Sequence, residues 1–534
     1  MSWMVSMSDG VVDTVLHLYD PGAVAMSTVT ITDEPLTLED LLAVVNGAPV
    51  ELADDVRAGI AASRTIVDGA LARKDAVYGL TTQVGHGKDT RLTEEEIRGE
   101  QMFLVVSHGG GVGPPLPTRQ VRAALAVRLN GIARGGSGAS PAVADVLAAM
   151  LNAGVHPVVP EISSVGAADL GPMAGMAQVA VGLGLAEYHG EVLPGGDTLR
   201  RAGITPLMLS GKDGLALVSA NGVSIGHAAL VVARAERVAD AADVAAALSM
   251  EATAANPSIV HPAVGRAKLI PGQAAAADHV RTLLEGSALL QPGGPRSVQD
   301  ALSFRVIPQV HGALREYVKA TRSAVTAELN AAADNPLVSV PDQAVISNGN
   351  FHPMVLAIAC EAMRIALAHV GQLSERRMSH LWDGCMRQLT GAPMEPLYGL
   401  QLRYPAAALF PELKQLAGPA TLDTPPLDLG VEDHNTAAPL SVRKTDAAVG
   451  LLEDLLAIEL LLARDLLTLT PTEPHLGTGT DAALRLVTEA ITVADPRPDA
   501  VHRACGTASR SGRWVSPQPT REVRHGEGQR ASLG

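Results

Sequence analysis

Most of the chemistries that short motifs advertise fail in this sequence on spacing. His108-Gly109-Gly110-Gly111 has the form of an oxyanion loop, but a serine hydrolase also needs a G-x-S-x-G elbow between a strand and a helix. Gly135-Gly136-Ser137-Gly138-Ala139 lacks the final glycine, which argues against that enzyme class. The glycine run at 109–113 lacks the third glycine and the preceding strand of a dinucleotide fingerprint. The 16 histidines include no H-x-x-x-H pair with a supporting carboxylate, so no catalytic metal is expected. The 3 cysteines (Cys360, Cys385, Cys505) have neither metal-ligand nor disulfide-framework spacing. That pattern fits a reducing compartment, and a cytoplasmic location is expected.

The elements that position the remaining candidates are read from composition. With 47% apolar residues but only 6 Tyr, 4 Phe and 3 Trp, the core has to be built from Ala, Leu and Val, and Ala and Leu favour helix. Near-helical apolar periods run over 121–133, 141–152, 228–250, 310–335, 354–382 and 445–467. A β-branched run at 28–32 predicts a short strand. The most apolar stretch, 449–467, is broken by Glu453, Asp454, Glu459, Arg464 and Asp465, which suits a buried helix and not a membrane span. A net charge of −15 leaves no basic face for nucleic acid. Residues 1–34 read as an N-terminal extension without a signal peptide, with Met26 an alternative start. Residues 496–534, with 7 Arg against 3 acids, read as a disordered basic tail that is solvated and not an anion-binding site. Between these ends, a front region with active-site loops is expected over 35–240 and a central long-helix bundle over 241–495.

Several segments say more together than apart. In order, they are Tyr78-Gly79-Leu80-Thr81-Thr82, Ser107-His108, Ser164-Val165-Gly166-Ala167-Ala168-Asp169-Leu170, Gln299-Asp300-Ala301-Leu302-Ser303-Phe304-Arg305, Asp334-Asn335-Pro336, Asn350-Phe351-His352 and Glu432-Asp433-His434. This ordered set resembles the histidine/phenylalanine/tyrosine ammonia-lyase and aminomutase family from about residue 36 to about residue 467. The resemblance implies a mainly α, long-helix bundle of the ammonia-lyase (fumarase/aspartase-like) type with a smaller front region. It also implies a homotetramer with shared active sites and a small carboxylate substrate, an amino acid or a relative of one. Family members eliminate ammonia or move the amine, using methylideneimidazolone made from an internal Ala-Ser-Gly.

Carried over residue by residue, Tyr78 falls on the proposed base, a role that needs a phenol pKa well below about 10. Arg305 falls on the arginine that pairs the substrate carboxylate, against a structural ion pair as the plain alternative. Glu432 matches a carboxylate lining the amine or ring side of the pocket, against a helix-cap or ion-pair role. Ser107 and His108 resemble the ring-selectivity pair of the histidine-type enzymes. Gln299 and Asn335 either hold pocket loops or serve purely structural packing, and Phe351 either walls the pocket or packs in the core.

The departures concern the electrophile. The family reads V-G-A-S-G-D-L where this chain has Val165-Gly166-Ala167-Ala168-Asp169-Leu170, one residue shorter and without the serine. Methylideneimidazolone is therefore not expected from Ala167-Ala168-Asp169, and no cofactor is expected. Leu302 replaces a tyrosine, and Ser219 stands where an asparagine is usual, so Asn221 would compensate only if the loop shifts. Three readings follow. The first is a C–N lyase or isomerase that uses Tyr78 without the ring. The second is a conventional imidazolone-dependent aromatic amino acid (histidine-type) ammonia-lyase or aminomutase with an atypical sequence at 167–168. The third is an inactive ligand-binding paralogue.

Overall fold

The Ala- and Leu-rich runs become helices close to where their spacing places them. This computed structural model describes residues 27–389, 396–471, 474–493 and 497–510, and its helices include Thr118–Ala133, Pro141–Ala153, Gly222–Thr253, Ile307–Leu329, Met354–Gln388 and Ala438–Leu469. The Ile307–Leu329 helix stops short of 335 because Asn330 turns its amide to Thr326 O and Leu36 O, while Asp334 is drawn into a buried ion cluster. The predicted strand is present as Val29–Ile31, parallel to Val50–Leu52. It lies within the expected extension; residues 1–26, with Met26, are outside the described residues.

The chain divides into two compact units. The first comprises the chain up to Leu230, Arg322–Ile358 and Ala420–Val442; the second comprises Val231–Thr321, Ala359–Pro419 and the chain from Arg443. This differs from a contiguous division at 240/241. Segments 322–358 and 420–442 return to the first unit because Asp334 pairs with Arg128 there, and Ala437 N donates to Val165 O.

In the first unit, Thr118–Ala133 is buried from Val121 onward, including two arginines. Burying a guanidinium requires hydrogen-bond partners on every side. Arg122 donates to Val44 O, Val45 O and Leu151 O, and Arg128 grips Asp334 bidentately at 2.8 and 3.2 Å. Lys212 Nζ lies 3.6 Å from the same carboxylate and donates to Ser137 O at 2.9 Å. Burial pushes the Lys212 amine down to about 8. Beside this cluster, Ile66, Val67 and Ala70 of the Asp54–Arg73 helix pack with Val77, Leu80 and Val338. Burying Val77 and Leu80 holds the intervening loop, which carries Tyr78.

The second unit is all helix among its longer elements. Arg377 and Glu459, both fully buried, form a two-point pair at 2.6 and 3.0 Å, and Ser249 donates to Glu459 at 2.7 Å. Arg377 also donates to Ser303 O, which fixes the short Leu302–Arg305 helix. Asp243 accepts from His279, His311 and Arg315. Asp240, Asp243 and His279 are spaced like metal ligands, but the Arg315 guanidinium bonds both carboxylates and supplies their countercharge.

The expected disordered tail needs a correction at its start. Pro498–Arg510 is helical, with Val501 and Cys505 buried against the Tyr398–Leu416 and Thr478–Val493 helices. Two apolar residues four apart make a sufficient stripe even in a polar segment. Residues 511–534 lie outside the described residues.

The Asp334 cluster yields a stability test. Asp334→Ala leaves Arg128 and Lys212 buried together without their carboxylate, and should cost about 3–5 kcal/mol, read as a lower guanidinium unfolding midpoint.

Candidate active site

Tyr78 is held by its loop backbone. Val77 O accepts from Leu80, Thr81 and Thr82 N–H groups, and Gln101 Nε2 donates to Gly79 O while its Oε1 accepts from Leu215 N. These bonds tie the loop to the Glu94–Ser107 and Asp213–Val218 helices. The half-buried Tyr78 hydroxyl accepts from Gly85 N at 3.0 Å. Next to it, His86 clasps Asp428 twice, through its backbone N at 2.8 Å and its ring Nδ1 at 2.6 Å. Gly85 has φ +59, and a Cβ there would strike the Asp428 carboxylate, so this approach requires glycine.

The clasp brings the loop bearing Glu432 to Tyr78. Glu432 and Leu427 exchange backbone bonds across a turn in which Asp428, Leu429 and Gly430 all have positive φ. Burial, helped by the Glu432 and Asp428 carboxylates, pushes the Tyr78 phenol above its ordinary value against the Gly85 N–H, which lowers it. That is opposite to the depression a base requires: burial disfavours the phenolate, and among the described residues no cation offsets the two acids. Burial and Asp428 likewise raise Glu432, while His108 lowers it. His108 donates from Nδ1 to Leu104 O at 2.9 Å. Ser107 is exposed beside it, 3.2 Å from the same Nδ1. Glu432 is in no helix and, among the described residues, in no ion pair, so neither plain alternative holds for it.

Residues 165–169 form a tight turn bound on several sides. Gly166 has φ +90, and Ala168 adopts the left-handed φ +56 that a Cβ disfavours. Ala168 N donates to Phe351 O at 3.2 Å, Asp169 N to Ala220 O at 2.8 Å and Ala437 N to Val165 O at 2.9 Å. Thr436 Oγ1 donates to Gly166 O at 2.8 Å. Ser164 Oγ accepts from Gly166 N at 3.0 Å and shares its proton between Ala168 O and Asp169 Oδ1. Asp169 is fully buried at the start of the Gly222–Thr253 helix, where Ser224 donates to it from N at 2.7 Å and from Oγ at 3.0 Å. Burial still raises its pKa against these donors. Ala167 and Ala168 are buried methyl side chains.

The first unit thus gathers Tyr78, Ser107, His108, the 166–169 turn, Asn335, Phe351 and Glu432. Asn335 Oδ1 accepts from Asn348 N at 3.0 Å, tying two loop segments together. Phe351 is half-buried and meets His352 edge-on. Ser219 and Asn221 are buried next to Ala220, the partner of Asp169 N. Gln299, Leu302 and Arg305 belong to the second unit. Leu302 is 58% exposed, Gln299 is exposed, and Arg305 makes no ion pair among the described residues, so the structural-pair alternative has no support there.

Sequence reasoning gave no role to the His86–Asp428 clasp or to the bond between His352 Nε2 and His434 Nδ1 at 2.8 Å. Burial and His434 lower the His352 pKa. The motifs Asn350-Phe351-His352 and Glu432-Asp433-His434 contained the signal for the second contact. Nothing local in the sequence pairs His86 with a residue 342 positions away.

Residues 36–489 match the profile of the aromatic amino acid lyases. The chain is 39% identical over 463 residues to histidine ammonia-lyase of Anaeromyxobacter sp. (strain K), covering 83% of this chain and 91% of that protein. Its fold is similar to ergothionase, an ergothioneine-degrading enzyme from Treponema denticola, solved with desmethyl-ergothioneine sulfonic acid. The TM-score is 0.86 at 28% identity, over 92% of this chain and 100% of the other. It is also similar to tyrosine aminomutase from Streptomyces globisporus, with TM-score 0.84, 28% identity, and 91% and 97% coverage.

Gly166→Ala would set a methyl against Thr436 Oγ1, and 2.9 Å from Ala438 N, at a positive φ. A loss of about 2–4 kcal/mol is expected, measured by urea unfolding.

Proposed function

The chain belongs to the aromatic amino acid lyase family, and from that premise we propose that it eliminates a substituted amine from a histidine-like α-amino acid without methylideneimidazolone. The observation that carries this reading is the 166–169 turn. Ring closure in the family uses a serine hydroxyl and a glycine nitrogen. Here the two central residues are alanines, Ala168 N is committed to Phe351 O, and the nearby Ser164 hydroxyl is engaged by the turn itself. These residues do not fit the group, and no step is assigned to it.

The chemistry left to the chain is proton abstraction beside a carboxylate. Tyr78 as phenolate removes the β-proton, the released pair forms the Cα–Cβ double bond, and the C–N bond breaks with its electrons leaving on the amine. In the shared sites that the resemblance implies, Arg305 is the residue assigned to the substrate carboxylate; on the Tyr78 side, His108 with Ser107 is assigned to the ring. A primary ammonium carries N–H protons more acidic than the β-carbon's, so a base exhausts itself on them. A quaternary ammonium carries none and keeps its charge. That charge, near the phenol, would offset Glu432 and Asp428 and bring the raised pKa down. The likeness to an ergothioneine-degrading enzyme supports this substrate class, because ergothioneine is a quaternary-amine betaine of a histidine derivative. The working form is proposed to be a homotetramer, as the family resemblance implies, and a cytoplasmic location is proposed from the cysteine pattern.

A second reading, ammonia release from histidine, is favoured by the histidine ammonia-lyases at 39% identity and needs the ring. Intact-mass measurement separates the two: ring formation removes two water molecules, and the proposed reading expects no such deficit. Incubation with N,N,N-trimethyl-L-histidine should give the near-ultraviolet absorbance of a conjugated acrylate, whereas L-histidine should give none. A mass deficit with histidine turnover would overturn the proposal.

The acid–base assignment has its own test. With the phenol raised, the phenolate fraction grows with pH, so kcat/KM should climb by up to about tenfold per pH unit below that pKa. Glu432→Gln removes one opposing charge and should move the rise to lower pH. Tyr78→Phe should cost about 10²–10⁴-fold in kcat.

A further inference from the structure

The short turn Gly85–Gly87 sets the Gly85 N–H on the Tyr78 oxygen at 3.0 Å. The next residue, His86, directs both its backbone N–H and its ring Nδ1 at the two oxygens of one carboxylate, Asp428. The His86 side chain is 64% exposed and that of Asp428 26%. Pairs with that much solvent contact contribute little to stability, so fold strength is a poor reason for the arrangement. Its place in the site is a better one. A Cβ on Gly85 would overlap Asp428 Oδ2, so the carboxylate lies against the residue whose N–H meets the phenol. The turn that supplies Asp428 also carries Glu432, because Leu427 and Glu432 exchange backbone bonds and Val431 N donates to Asp428 O.

One clasp therefore holds two opposing influences in place around Tyr78. The Gly85 N–H favours the phenolate, and the Asp428 charge, with that of Glu432, disfavours it. Other charges on the surrounding elements are already engaged. Lys88 pairs with Asp89 in the same loop, Asp213 pairs with Arg64, and His108 acts on Glu432. We propose that His86 and Asp428 are a positioning pair for Tyr78: the clasp seats the Gly85 N–H on the phenol oxygen, and the carboxylate that makes the clasp sets the charge a phenolate has to meet. The inference rests on the base role given to Tyr78 above, and it adds two residues that act through that tyrosine. Seat and charge come from different halves of the pair, so substitution can separate them.

Asp428→Asn keeps an oxygen for the His86 N–H and an amide that can donate to the neutral ring, while it removes the charge. His86→Ala keeps the charge and drops the ring contact. With the full chain and N,N,N-trimethyl-L-histidine as probe, Asp428→Asn should move the alkaline rise of kcat/KM to lower pH. His86→Ala should move it to higher pH and lower kcat about tenfold or more, with KM held within about threefold. His86→Asn, whose Nδ2 can stand where Nδ1 does, should restore much of the loss. Shifts of the same sign, an unmoved pH profile in both variants, or a His86→Ala chain that does not fold would make the clasp a structural fastener and overturn the inference. If wild-type protein does not turn over the probe, the substrate reading fails. The pair is then read from ultraviolet titration of the Tyr78 phenol, taken as the difference from Tyr78→Phe. Opposite shifts by Asp428→Asn and His86→Ala support the pair there, and any other result overturns it.

Discussion

The buried carboxylate of Asp169 is the point from which the first unit's site is organised. It lies in no ion pair among the described residues, and its solvation is replaced by the N–H and hydroxyl of Ser224 and by the Ser164 hydroxyl. Donors at a helix start suit an anion, since the free N–H groups and the helix dipole both favour negative charge. By taking those donors, Asp169 fixes the end of the turn to a 32-residue helix. The other bonds of the turn, to Phe351, Thr436 and Ala437, then bring in segments 348–353 and 432–437. Three distant stretches of sequence meet because one acid needs its charge satisfied.

The charge balance around Tyr78 follows from the same convergence. The loop that approaches it brings Asp428 and Glu432, both acids, and the contacts that hold it are made by His86 and by backbone. A phenol among acids keeps its proton. Among the described residues, acids and not cations act on this phenol. This inverts the sequence-based expectation of a depressed tyrosine, and the reason is geometric: which acids face Tyr78 depends on a clasp spanning 342 positions.

Helix periods at 121–133, 141–152 and 445–467 were legible because burial on one face imposes its spacing on the sequence. The Tyr398–Leu416 helix was not, since Pro405 and Pro411 lie inside it and proline ordinarily ends a helix. The helix at Pro498–Arg510 escaped notice because its buried face is carried by so few apolar residues. The interleaving of the two units was hidden for another reason: Arg128 and Asp334 meet across 206 residues, and no local pattern encodes that pairing. At the site, residue types could be matched to a family, whereas protonation, exposure and partners depend on tertiary contacts. That Arg305 makes no ion pair among the described residues is a property of the fold alone.

Ala168 in its left-handed conformation also bears on history. To regain the family's tripeptide, the gene would need three added nucleotides for the serine and a separate substitution of Ala168 by glycine. Neither change alone completes the sequence, and the insertion alone would lengthen a turn whose neighbours are already bonded at both ends. Because the segment is one residue short, point substitution alone does not lead from this turn to the family's tripeptide. A library built only from substitutions inherits that shorter turn.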